Sequence, residues 1–167
     1  MVTIGRGPWR SLFRGLKAKF RQAGVRNRKG SVANVSKPKL DWDEKGEDED
    51  FDAAERYLSL LCSDAKAAGL VKSLSNAKLV EHAAKDLLRA PHLPLLPSDE
   101  SHVSEDLKRI QKGKALAPVL LVRGDIVTGL PLIVADGYHR ICAVCYFDES
   151  APVPCCVADI ATPSQRG

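Results

Sequence analysis

The chain has 167 residues, 44% hydrophobic and 5% aromatic, a composition that suits one compact domain with tails and a core of Leu, Val, Ala and Ile. No apolar run approaches the roughly 18 residues that a membrane helix needs, so no membrane span is expected. The net charge of +4 hides an asymmetry: residues 1–40 hold eleven Lys/Arg and no acid, residues 41–50 hold seven acids and one lysine, and −1 is left for residues 51–167. A near-neutral folded part argues against a core that grips nucleic acid through a broad basic face.

In chain order, residues 1–50 read as an extension, basic then acidic, disordered or partly helical. Within "PWRSLFRGLKAKFRQAG", Trp9, Leu12, Phe13, Leu16 and Phe20 recur at near-helical spacing among basic residues. That pattern suits an amphipathic helix for an anionic surface, nucleic acid or an acidic partner, a transit segment, or a solvated arm. "RKGSVANVSKPK" and the acidic run "DWDEKGEDED" read as linker.

Residues 51–92 read as a helical elaboration. Ala54, Tyr57, Leu58 and Leu61 form one apolar stripe, and Leu70, Val71 and Leu74 suggest a second helix. Leu79, Val80, Ala83, Ala84, Leu87 and Leu88 predict a third, closed at Ala90-Pro91. His82 on that segment reads as a surface or packed residue. "PHLPLLPSDESH" is a proline-punctuated loop. A helix follows over "SHVSEDLKRIQKG", with Val103, Leu107 and Ile110 on one face, Ser101 or Ser104 as cap and Gly113 as terminator.

The period then changes. "APVLLVRGD" predicts a strand, "IVTGL" a turn at Gly129, "PLIVADG" a second strand, Tyr138 to about Phe147 a helix, and "VPCCVADI" a third strand. From residue 93 to 162 the order is therefore α-β-β-α-β, an α+β domain, with residues 163–167 as a tail.

The chemistry concentrates in "ADGYHR". A strand running through a glycine into a helix leaves backbone N–H groups unpaired, and with the helix dipole these favour an anion. Gly137 permits a close approach or a positive φ, His139 and Arg140 add donors, and Arg suits a forked grip on phosphate. Asp136 can cap the helix, hold a ribose hydroxyl or bind a metal ion, and Tyr138 can stack on a base. The bland alternative is an ordinary helix cap with Arg140 in solvent. Lys112 and Lys114 are further candidates to reach phosphate from the loop before the first strand.

Five cysteines, Cys62, Cys142, Cys145, Cys155 and Cys156, with no signal peptide before them, point to a reducing, cytoplasmic setting. Cys142-x-x-Cys145 and Cys155-Cys156 read as small core residues, with zinc or redox chemistry as alternatives. Adjacent strand residues 155 and 156 point to opposite faces, which disfavours one four-thiolate site.

The stretch "VADGYHRICAVCYFDESAPVPCCVAD" resembles the ParB/sulfiredoxin superfamily, whose sulfiredoxins carry Phe-Gly-Gly-Cys-His-Arg between strand and helix. Upstream, "VSEDLKRIQKGKALAPVLLVRGD" is similar to that family's helix, strand and Gly-containing hairpin. The resemblance implies a small mixed sheet that binds a nucleoside triphosphate, ATP or CTP with Mg²⁺, through its phosphates at this turn. Gly137, His139 and Arg140 would then be phosphate ligands. Members use the pocket as sulfinic acid reductase, CTP-dependent clamp, kinase or nuclease, so the fold leaves the reaction open. Tyr138 replaces the sulfiredoxin cysteine, so thiol chemistry is not expected. No helix-turn-helix follows residue 160, so partition activity is not expected either. What stands is nucleotide-phosphate binding, with phosphoryl transfer or NTP hydrolysis open. One alternative is an interaction module acting through the basic arm on nucleic acid or an acidic partner. Another is a nuclease with Asp125, Asp136 and Asp159 around a metal.

Overall fold

The structure is a computed structural model and describes residues 39–160. The expectations for the amphipathic segment, the basic linker and the tail 163–167 lie outside the described residues.

Nine elements follow in chain order: α1 (Asp48–Leu58), α2 (Asp64–Ser75), β1 (Val80–Ala83), α3 (Ala84–Arg89), α4 (Ser101–Gln111), β2 (Val119–Val122), β3 (Ile133–Asp136), α5 (Tyr138–Asp148) and β4 (Pro152–Ala158). The protein is α+β, with one four-stranded mixed sheet of order β1-β4-β2-β3 among the described residues. β4 runs antiparallel to β1 and parallel to β2, and β3 returns antiparallel along β2. A parallel pair cannot be closed by a tight turn, and the β3–α5 passage supplies the crossover between β2 and β4.

Both faces of the sheet are covered, which explains why β2 reads as an unbroken aliphatic run. Val119 and Leu121 face α3, α4 and α5, whose Leu87, Val103, Ile110, Ile141 and Val144 complete one core. Leu120 and Val122 face the other way onto Ala54, Leu58, Ala67, Leu70 and Leu74 of α1 and α2. β4 alternates in the same manner, with Val153 and Cys155 in the first core and Cys156 and Ala158 in the second. Cys142 and Cys145 are buried with Cys155, as packing residues.

Three differences from the expected elements matter. The third predicted helix begins only at Ala84, and Val80–Ala83 instead form β1 on β4, with Val80 opposite Cys155 and Ala83 opposite Pro152. Leu79 and Val80 are about two-fifths exposed, so the apolar spacing there never served a buried helical stripe. An open β4 edge captures this segment because its backbone groups need partners. In α1 the helix ends at Leu58, which leaves Leu61 outside it and exposed.

The acidic run expected as linker belongs to the fold. Leu116 receives a hydrogen bond from the Asp43 N–H and donates its own N–H to the Asp41 carbonyl, and Leu40 and Trp42 pack on the first core. Glu47 and Asp50 then form a reciprocal capping box, which starts α1 inside the acidic run. Three acids in the first turn suit the positive end of the helix dipole.

Candidate functional site

β3 delivers Asp136 to the sheet end, where a register shift on β2 between Leu120 and Leu121 seats Asp136 opposite Leu120. Gly137 follows at φ +94°, a left-handed conformation that an L side chain resists, and begins α5. A Cβ at Gly137 would lie 3.0 Å from Val119 Cγ2 and 3.3 Å from its Cα, so the glycine is also required by close packing on β2. Space at Gly137 is filled on that side. Among the described residues no side chain caps α5, and the Tyr138 and His139 N–H groups meet no acceptor.

The five residues of the turn do not converge. Arg140 points inward, with its side chain only 12% exposed. Its Nη1 donates to the carbonyls of Ala117 (2.9 Å) and Pro118 (3.1 Å). Its Nη2 donates to Asp50 Oδ1 at 2.7 Å and to Asp136 Oδ2. The guanidinium thus ties β3, α5, the approach to β2 and α1 together, and it has little donor capacity left for a ligand. Asp136 is the partner of that arginine. Burial pushes the Asp136 carboxyl above its ordinary range, the nearby Asp50 adds to this, and Arg140 pulls the other way.

Tyr138 and His139 point outward, toward the start of α4 and the loop before it. The Tyr138 hydroxyl donates to the Pro94 carbonyl at 2.5 Å, and Tyr146, two turns on, donates to the Leu96 carbonyl at 2.7 Å. These two phenols strap the proline-rich loop to α5. Tyr138 therefore has a structural partner, and burial raises its pKa.

His139 meets residues that the turn motif did not include. The cap of α4 is Glu100, not Ser101 or Ser104: its Oε2 accepts the Val103 N–H at 2.9 Å. Its Oε1 accepts from Ser101 Oγ at 2.9 Å and lies 3.2 Å from His102 Nδ1. His139 Nε2 stands 3.8 Å from Glu100 Oε2, and the two imidazole rings lie 4.8 Å apart, tilted by 32°. The Val103 N–H bond above all, with smaller contributions from Ser101, His102 and His139, holds Glu100 down to about 2, so it is ionised at neutral pH. Among the described residues Glu100, His102 and His139 are the one group of three whose potential ligand atoms come together, all within 4.8 Å. Asp106, one turn beyond His102, is close enough for the charges of Arg140 and His139 to lower its pKa, although burial raises it overall.

The other sequence candidates sit elsewhere. Lys112 and Lys114 line a depression with Glu105, Lys108 and Arg109 of α4, and none of residues 136–140 is part of its lining. Asp125 caps its own hairpin turn through the Val127 N–H and Thr128, and Asp159 pairs with Arg123. With Asp136 on Arg140, the three carboxylates proposed for a nuclease are each engaged separately.

What the sequence reading missed is Glu100-x-His102, two potential ligands at the N-cap and in the first turn of one helix. The spacing was visible, but its partner His139 stands 37 residues later. No family model, curated protein or solved structure matches the chain. The fold and the site therefore define an α+β domain whose helix α5 opens beside a two-histidine, one-glutamate cluster.

Proposed function

We propose that the domain is a binding module of the ParB/sulfiredoxin type, which receives the phosphates of a nucleoside triphosphate at the first turn of α5. The observation that carries this reading is the left-handed Gly137, which opens the helix with the Tyr138 and His139 N–H groups unpaired and an imidazole beside them. The order α4-β2-β3-α5-β4 is the order that the family resemblance implies. Arg140 enters this reading as the residue that braces the turn, and His139 as the side-chain donor. The ionised Glu100 beside His139 would repel a bare phosphate, so the ligand arrives with a cation, of which Mg²⁺ is the ordinary companion of a triphosphate.

The measurement is a thermal-shift series on the full chain with ATP, ADP, CTP and GTP, with and without Mg²⁺. At one hundred times the dissociation constant, a ligand bound only by the folded state adds about 2.7 kcal/mol of stability. A stabilising shift that is lost in His139→Ala supports the site, and flat melting curves with every nucleotide would overturn it. The +11 charge of residues 1–40 supports a second, separable activity on nucleic acid or an acidic partner. Removing residues 1–38 should eliminate salt-sensitive binding to nucleic acid and leave the nucleotide shift unchanged.

A further inference from the structure

Two imidazoles and a carboxylate from two different helices face one another at a partly exposed place on the surface. Glu100 and His102 come from the start of α4, and His139 comes from the first turn of α5. The α4–α5 packing through Val103, Ile141 and Cys142 is what brings them together. We infer that Glu100, His102 and His139 form a binding site for a divalent transition-metal ion of the zinc class.

The donor set selects the metal. Imidazole nitrogen suits Zn²⁺, Ni²⁺, Co²⁺ and Cu²⁺, whereas Mg²⁺ and Ca²⁺ prefer oxygen alone. Two histidines and one glutamate leave a fourth position of a tetrahedral ion open to water or to a ligand atom. Metal–ligand bonds of about 2.0–2.1 Å in a tetrahedron set ligand atoms ~3.3 Å apart. Glu100 Oε1 and His102 Nδ1 already stand 3.2 Å apart, near that spacing. The farthest separation, 4.8 Å, must close by ~1.5 Å to reach the tetrahedral spacing. The side chains of His102 and His139 are 66% and 42% exposed, so they are free to turn toward the carboxylate.

Glu100 is held in place for this role. Its Oε2, clamped by the Val103 N–H, is the oxygen that faces His139 Nε2 at 3.8 Å, and its Oε1 faces His102 Nδ1 at 3.2 Å, so the carboxylate that caps α4 presents one oxygen to each imidazole. An outer hydrogen bond of that kind orients a ligand before the ion arrives. The ion would neutralise Glu100 and leave the start of α5 more favourable to an anion. The site does not depend on nucleotide binding, because Zn²⁺ alone satisfies the three donors.

The test uses the full chain and the metal alone. Calorimetric titration with Zn²⁺ should give one equivalent, and Co²⁺ should give the visible absorption of a tetrahedral nitrogen and oxygen site without thiolate charge-transfer bands. The chain has four histidines, His82, His92, His102 and His139, and this supplies the controls. His102→Ala and His139→Ala should each weaken binding by more than the roughly tenfold that loss of even an outer-shell partner costs. Glu100→Gln, which keeps an acceptor for the Val103 N–H, should weaken it as well, with circular dichroism and melting temperature showing a folded protein. His82→Ala and His92→Ala should bind as the parent does. Absence of one-equivalent binding, thiolate bands in the Co²⁺ spectrum, or binding unchanged in His102→Ala and His139→Ala overturns the site. A nucleotide shift that persists when Zn²⁺ binding is absent would reject the metal site while keeping the nucleotide reading.

Discussion

Arg140 shows how a residue type that suits phosphate becomes structural once its neighbours are known. Its four hydrogen-bonding partners come from Asp50, Ala117, Pro118 and Asp136, which span three parts of the chain. Arg140→Ala would leave two carboxylates and two carbonyls without their donor in a largely buried place. Breaking such a pair on one side typically costs about 3–5 kcal/mol, and we expect a loss of that size in urea unfolding. Arg140→Lys should recover only part of it, because one ammonium cannot reach both carbonyls and both carboxylates in a fixed fork. A variant with unchanged stability would mean that the pairs are solvated in solution. The motif "DGYHR" was legible as a strand-to-helix turn with a special glycine, and the left-handed Gly137 is there. The direction of each side chain was not legible, because that depends on Asp50, 90 residues earlier, and on Glu100.

At the scale of elements, periodicity was a sound guide where the apolar positions of the pattern are packed in a core. Helix α4 and its Gly113 terminator, strand β2, helix α5 and strand β4 all stand where the apolar spacing placed them. It failed over Val80–Ala83, where the side chains are largely exposed and main-chain pairing to β4 decides the conformation. The alternation in β4 has a chemical consequence. Cys155 and Cys156 lie in opposite cores, and Cys142 and Cys145 are buried in α5, so none presents a thiolate to solvent. Burial pushes Cys145 and Cys155 up to about 12 and raises Cys142 and Cys156 as well. In the native protein a thiol reagent at neutral pH should therefore titrate Cys62 alone, which is half-buried beside Leu58. All five should react in denaturant. Rapid reaction of a second native thiol would show that one of the two cores opens readily.

At the scale of the whole molecule, the sheet is a wall between two cores, and the Asp50–Arg140–Asp136 contact ties the α1–α2 side to β3 and α5. Two acids share one guanidinium there, which makes the contact sensitive to pH. Because Asp136 is raised above its ordinary value of 3.8, the folded state holds that proton more tightly than the unfolded chain does. The resulting stability is fully present below 3.8 and is lost as the pH rises through the folded value. Within that window the slope reaches at most about 1.4 kcal/mol per pH unit. Urea midpoints from pH 4 upward should show the parent losing stability relative to Asp136→Asn, and parallel curves would contradict this.

Taken alone, the sequence determined an α+β domain, the order α-β-β-α-β from residue 101 onward, and the opposed facing of Cys155 and Cys156. These follow from local period and turn chemistry, which need no distant partner. Tertiary structure alone decided that Val80–Ala83 form a strand, that the acidic run is part of the fold, and that Arg140 faces inward. It alone also brought Glu100 and His102 against His139. Each of these depends on contacts between residues tens of positions apart, formed only when α1, α4 and α5 pack on the sheet.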